Sequence, residues 1–226
     1  MLDADKRSFV GYMPLPVRHG MTIGELARYF NAENKIAADL RIIQMVGWRR
    51  SSYFEDTGQL WVNPSPNMRS LLEAVFYPGV ALLEPSNVSV GRGTDRPFEL
   101  IGAPWIEPRR LSAELNAAGI PGVKFVPLYF TPTSSTHQGQ KCGGVNLHLI
   151  DREKFNSVLT GLHLVSALHK LYPGQFEVDK VLRLLGNERA LNAIKAGQLP
   201  ARVLREGTLE MKVFLARRQR ALIYRP

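Results

Sequence analysis

The stretch Pro14-Leu-Pro-Val-Arg-His-Gly-Met-Thr-Ile-Gly-Glu-Leu-Ala-Arg-Tyr-Phe-Asn31 sets an Arg, a His and a Glu around a tight turn that opens a helix. Pro14 and Pro16 stiffen the entering chain, and Gly20 permits backbone angles closed to other residues. Thr22 is a good N-cap for a helix whose apolar face is Ile23, Leu26, Ala27 and Phe30. Arg18, His19 and Glu25 therefore converge near a helix N-terminus, whose partial positive charge favours an anionic ligand group. The same spacing has a plainer use. Thr22-x-x-Glu25 is a capping box, in which the Glu at the third helical position bonds back to the amide of the cap and does no chemistry. Spacing alone leaves both readings open.

Further motifs follow in one order: Asp56-Thr-Gly58, Trp61-Val-Asn-Pro-Ser-Pro-Asn67, Tyr77-Pro-Gly79, Gly91-Arg-Gly-Thr94 and Pro97-Phe-Glu-Leu-Ile-Gly-Ala-Pro-Trp105. With the first stretch they resemble the exo-beta-N-acetylmuramidase family, formerly catalogued as a domain of unknown function, DUF1343. The resemblance runs over nearly the whole chain and weakens after Gly186. Several long motifs in fixed order are more specific than any single short pattern.

The resemblance implies a glycosidase releasing N-acetylmuramic acid from the non-reducing end of peptidoglycan fragments. Glycoside hydrolysis generally takes two carboxyl groups flanking the scissile bond. The family pattern assigns one to Glu25, with His19 as its neighbour, and the other to a Pro-Glu-His-Gly motif that these 226 residues do not contain. The expectation is a C-terminal part of such a hydrolase, inactive alone for want of its second carboxylate. The alternative is a non-catalytic module that binds peptidoglycan or muropeptides. Asp56 and Glu84 sit on loops where a substitute acid could stand, but Asp56 suits an Asx turn and Glu84 suits an ion pair with Arg92.

Muramic acid carries a lactyl ether with a carboxylate, and a guanidinium can grip a carboxylate through two parallel hydrogen bonds. Arg18, Arg49 and Arg92 lie on candidate loops, with Arg18 and Arg92 the chosen clamps. Trp48, Trp61 and Trp105 lie in Gly- or Pro-bounded loops where a ring can stack on a sugar face, and Trp48 and Trp61 are taken as substrate-binding candidates. Asn67 and Asn87 can bond N-acetyl or hydroxyl groups. One departure stands out: the family usually has an acid just before Gly-Arg-Gly-Thr, where this chain has Val90.

The bulk properties exclude several classes. With 226 residues and 45% hydrophobic content the chain can build a packed core, and its apolar runs are too short to cross a bilayer. A net charge of +9 with a late cluster at Arg202, Arg205, Lys212, Arg217, Arg218, Arg220 and Arg225 is compatible with an anionic partner, although a basic helix face is more often simply solvated. No zinc finger, RNA-recognition signature or disordered basic arm accompanies it, and anionic cell-wall polymer answers the charge as well as nucleic acid does. The resemblance implies peptidoglycan fragments as the partner and no nucleic acid. Cys142 is the single cysteine, and the histidines have no metal-ligand spacing, so neither a cofactor nor a metal is expected. The family is usually exported. This chain opens without the apolar core of a secretion signal, so a cytoplasmic location is expected if it is complete as given.

The elements that must position these residues alternate between helices and apolar strands. After the first helix, Leu40-Arg-Ile-Ile-Gln-Met-Val46 reads as a buried strand. A helix over 68–77 stops at Pro78-Gly79, and Val80-Ala-Leu-Leu83 reads as another short strand. The fold class is α/β, a partial Rossmann-like parallel sheet over 1–96 followed by a smaller α+β domain over 97–226. In the second part a helix over 111–118, an extended run over 123–130, a polar loop over 131–144, an alternating strand over 145–150, a helix over 152–171 and a basic helix over 208–223 are expected. Members of the family begin with a Rossmann-like half, so a sheet starting here has an edge that this missing half or a second copy is expected to cover.

Overall fold

A computed structural model describes residues 1–224. Its helices and strands run in the order α1 (Ile23–Glu33), α2 (Leu71–Val80), β1 (Leu100–Ala103), α3 (Pro108–Ala117), β2 (Val123–Phe130), β3 (Cys142–Leu149), α4 (Ser157–Leu171), α5 (Leu182–Leu185), α6 (Glu188–Lys195), α7 (Pro200–Glu206) and α8 (Thr208–Gln219). They fall into two compact units. One joins Met1–Val17 to Val62–Glu206, and the other joins Arg18–Trp61 to the chain from Gly207 onward.

The larger unit holds the sheet, whose strand order is β1-β3-β2 with both pairings antiparallel. Strands β2 and β3 pair along their whole length, from Val123 opposite Leu149 to Phe130 opposite Cys142. Period-two alternation sends Phe125, Val145 and Leu147 to one face, where they are buried with Leu111 and Leu115 of α3 and Leu164 and Leu168 of α4. Asn116 of α3 clips that helix to β2, accepting from the Phe125 amide at 3.1 Å and donating to its carbonyl at 2.8 Å.

Helix α2 carries Pro78, which has no amide hydrogen for the helical ladder. Ser157 serves two other backbone groups of this turn: its Oγ accepts from the Gly79 amide at 2.8 Å and donates to the Phe76 carbonyl at 2.9 Å. Gly79 permits that approach, since a Cβ there would stand 1.8 Å from the Ser157 carbonyl oxygen. Gly161 of α4 gives the same clearance, its own Cβ position lying 2.4 Å from the Gly79 carbonyl oxygen.

The expected parallel Rossmann-like sheet is not what this chain displays. Residues 40–46 are irregular and their apolar side chains are largely exposed, Val46 fully so. A run of Leu, Ile and Val supplies strand propensity only, and a strand also requires a ladder partner, which these residues do not have among the described ones. Residues 80–83 are not a strand either; they are the last turn of α2 and a 3-10 turn over Ala81–Leu83. A short apolar run carries no periodicity to separate strand from buried helix, and here the helix continues through Pro78. The boundary expected between residues 96 and 97 falls inside the larger unit, whose core takes Val88 and Val90 from before it and Phe98, Ile101 and Ile106 from after it.

In the smaller unit α1 and α8 meet through an aromatic pair and an ion pair. Tyr29 and Phe214 are buried edge to face at 6.0 Å, and Arg217 reaches Glu33 at 3.7 Å.

Candidate functional site

The predicted site residues divide between the units. Arg18, His19, Glu25, Trp48 and Trp61 lie in the smaller unit, and Asn67, Asn87 and Arg92 in the larger.

In the smaller unit Thr22 caps α1 with extended backbone angles, its Oγ1 accepting from the Glu25 amide at 3.3 Å while Glu25 Oε2 accepts from the Thr22 amide at 2.8 Å. That is the capping box. Glu25 does more than cap, however. Arg50 forks its carboxylate, Nη2 to Oε1 at 2.6 Å and Nη1 to Oε2 at 3.2 Å. The amides of Ile223 and Tyr224 donate to Oε1 at 2.9 and 3.3 Å. Glu25 is fully buried. Burial alone would raise its pKa, but the Arg50 fork and the amides of Thr22, Ile223 and Tyr224 prevail and hold it at about 2. It is a carboxylate at neutral pH with both oxygens occupied, and in this arrangement it has no proton to give.

Gly20 takes the left-handed angle φ +65°, which turns its carbonyl toward Arg50 Nη1 at 2.6 Å. Arg218 donates to the His19 carbonyl at 3.2 Å, and a Cβ on Gly20 would stand 2.6 Å from its Nη1. His19 Nδ1 accepts from the Met21 amide at 3.2 Å, so the neutral ring carries its proton on Nε2. Burial, helped by the Arg218 charge, lowers the His19 pKa. His19 is therefore a neutral imidazole that can donate from Nε2. Arg18 is exposed. Trp48 lies edge-on to Tyr224 at 4.8 Å with the Arg50 guanidinium 5.4 Å from its ring centre. Trp61 meets Phe54 edge to face at 5.4 Å. Asp56 accepts from the Tyr53 amide at 2.8 Å, which is a turn-forming role.

In the larger unit Arg92 Nε donates to Glu84 at 2.5 Å, the ion pair expected from the sequence. Its guanidinium carbon lies 5.1 Å from the ring centre of Phe98, and Tyr77 meets Phe98 edge to face at 4.8 Å. Phe98 is buried at φ +63°, a strained angle for a bulky side chain, held there by its amide donating to the Val90 carbonyl at 2.7 Å. The Gly93 carbonyl accepts from both the amide and the hydroxyl of Thr133, at 2.9 and 2.8 Å, which ties the Arg92 loop to the loop before β3. Among the described residues the two terminal nitrogens of Arg92 take no protein hydrogen bond, and the side chain is 32% exposed. A guanidinium oriented at Nε and open at its far edge is shaped to take a carboxylate in two parallel hydrogen bonds.

Asn87 bonds backbone groups of its own unit. Its amide donates to the Gln175 carbonyl at 2.7 Å and accepts from the Glu177 amide at 3.0 Å, so its side chain braces a turn. Asn67 is half-buried in the turn before α2. Trp105 packs on Tyr172 beside the core. No three His, Cys, Asp or Glu side chains gather as a metal-ligand set among the described residues.

Sequence reasoning missed Arg50, Tyr77 and Phe98. The one available signal for Arg50 was its two-residue spacing from Trp48, which in extended chain puts both side chains on one side. Phe98 had none, because an ordinary residue type hides an unusual backbone angle.

The larger unit sets an oriented arginine, open at its far edge, beside a small antiparallel sheet flanked by helices. Residues 75–224 match the family model "Exo-beta-N-acetylmuramidase NamZ, C-terminal" and residues 1–72 match its N-terminal counterpart. The chain belongs to the NamZ exo-beta-N-acetylmuramidase family. It is 43% identical over 227 aligned positions to the peptidoglycan beta-N-acetylmuramidase NamZ of Bacillus subtilis, covering 99% of this chain and 55% of that protein. Two crystal structures of DUF1343 family proteins from Bacteroides fragilis match 99% of this chain and 61% of each of theirs, with TM-scores of 0.80 and 0.78 at 26% and 27% identity. The chain thus spans about half the length of the curated relative it matches.

Proposed function

We propose that this chain handles the muramic end of peptidoglycan fragments as part of a glycoside hydrolase, with Arg92 clamping the lactyl carboxylate. The observation that carries the reading is the Glu84–Arg92–Phe98 arrangement, in which a carboxylate fixes one edge of the guanidinium and an aromatic ring its face. Family membership supplies the reaction class, and the B. subtilis relative is a peptidoglycan beta-N-acetylmuramidase. Tyr77, 39% exposed and in edge contact with Phe98, offers a ring face for the sugar beside that clamp.

In the smaller unit Glu25 organises the turn as an ionised carboxylate, and His19 offers a neutral Nε2–H donor. A catalytic part for Glu25 requires that some of its donors be released first. The buried, saturated state of Glu25 favours a second reading, a muropeptide-binding module without turnover. A chromogenic muramide separates the two. Released chromophore abolished by Glu25→Gln supports the hydrolase, binding of N-acetylmuramic acid without release supports the module, and failure to bind it at all contradicts both.

A further inference from the structure

Beyond α8 the chain returns to the first turn of α1, and it does so with peptide groups rather than apolar side chains. The Ile223 and Tyr224 amides donate to Glu25 Oε1, and the Tyr224 carbonyl accepts from Arg50 Nη2 at 3.3 Å. The Tyr224 hydroxyl accepts from the Met45 amide at 2.8 Å, and the Tyr224 ring lies edge-on to Trp48. One dipeptide thus gives a carboxylate two N–H donors, a guanidinium a carbonyl, and an indole an apolar partner. An acetamido sugar offers the same set: an amide N–H, an amide C=O and a C–H ring face.

We propose that residues 221–224 form a strap whose peptide groups occupy an acetamido-sugar subsite made by Glu25, Arg50 and Trp48, so that a sugar binds there only when the strap lifts. This rests on the saccharide reading above and concerns a separate contact within the smaller unit, with an acetamido group rather than a lactyl carboxylate. Lifting the strap leaves Glu25 its Thr22 and Arg50 bonds, and α8 keeps its own anchors at Phe214–Tyr29 and Arg217–Glu33. The released carboxylate keeps its charge and regains a free acceptor site for a ligand N–H, while Arg50 regains a donor for a ligand carbonyl.

The test compares the full chain with one ending at Arg220, titrating each calorimetrically with N-acetylglucosamine and with glucose, which lacks the acetamide. The strap account expects at least tenfold tighter N-acetylglucosamine binding in the shortened chain, no gain for glucose, and competition by a synthetic peptide of the sequence 220–224. Carbon-detected NMR of the Glu25 carboxyl should show its titration moving upward once the tail is gone. If the shortened chain does not fold, Ile223→Pro in the full chain removes one N–H to Glu25 and should still tighten N-acetylglucosamine binding several-fold. A shifted Glu25 titration with unchanged sugar affinity reduces the tail to a structural element and overturns the proposal. An unchanged titration means that the tail is not seated, and overturns it too. N-acetylglucosamine has no lactyl group, so this test can fail while Arg92 recognition of N-acetylmuramic acid succeeds, and the reverse.

Discussion

Arg50 and Glu25 are joined by two hydrogen bonds in a fork, and that pairing changes what the Thr22-x-x-Glu25 motif means. The larger unit contains the same motif in Ser70-x-x-Glu73, where the buried Glu73 accepts from the amides of Arg69 and Ser70. One sequence pattern therefore yields two different sites. Backbone amides serve the Glu73 carboxylate, whereas Glu25 adds a guanidinium and two amides from a distant segment.

Glu25→Gln should accordingly destabilise the smaller unit by about 3 kcal/mol, because one partner of a buried ion pair is lost and the other is left behind. Glu73→Gln should cost about 1 kcal/mol or less, since a capping box accepts Gln at that position. Urea unfolding of the two variants checks this, and equal losses would show that Arg50 adds nothing.

The pH dependence follows from the same shell. The Glu25 pKa is about 2 in the folded chain against an ordinary 4.5, so folding favours the ionised form. Its contribution is complete above about pH 4.5 and is lost as pH falls toward 2. The shift corresponds to about 3 kcal/mol. Urea midpoints measured between about pH 6 and about pH 2.5 should fall more steeply for the native chain than for Glu25→Gln, since only the native chain takes up that proton on unfolding. Parallel curves would contradict the assignment.

His19 should titrate below its ordinary 6.5 and be neutral at pH 7, with its proton on Nε2. Long-range proton–nitrogen NMR spectra distinguish the two tautomers directly. Arg218→Gln should move the titration upward, because a nearby positive charge is removed. A midpoint unmoved by that change would mean that burial alone sets it.

Gly79→Ala should cost about 3 kcal/mol or more, since its Cβ would stand 1.8 Å from the Ser157 carbonyl oxygen and backbone must move to make room. Ser157→Ala should cost about 1–3 kcal/mol through the unpaired Gly79 amide and Phe76 carbonyl. Thermal melts of both variants measure these losses, and a Gly79→Ala variant as stable as the native chain would refute the close α2–α4 contact.

Helices and strands of the larger unit are readable where the pattern is long. The run 123–130, expected as extended chain, is β2, and the helix expected over 152–171 is α4 at 157–171. In the smaller unit the basic helix expected over 208–223 is α8 at 208–219. The segment 40–46 misleads because its composition records a preference for strand, while the pairing that makes a strand lies outside those residues. The Glu84–Arg92 pair is legible from two loop charges close in sequence. Arg50 is not, because its partner lies 25 residues away and its neighbour Arg49 has the same chemistry. The hydrogen bonds of Asn87 are illegible for a related reason: an Asn that braces a turn and an Asn that binds a sugar are the same residue until the partners at Gln175 and Glu177 are known.

The lactyl clamp is tested most directly by calorimetry on N-acetylmuramic acid and N-acetylglucosamine, which differ only in the lactyl ether. A charge-assisted bidentate contact is worth about 1.5–3 kcal/mol, so the native chain should prefer N-acetylmuramic acid by about tenfold or more, and Arg92→Gln should erase that preference. Equal affinities in the native chain, or a preference that survives Arg92→Gln, would contradict it.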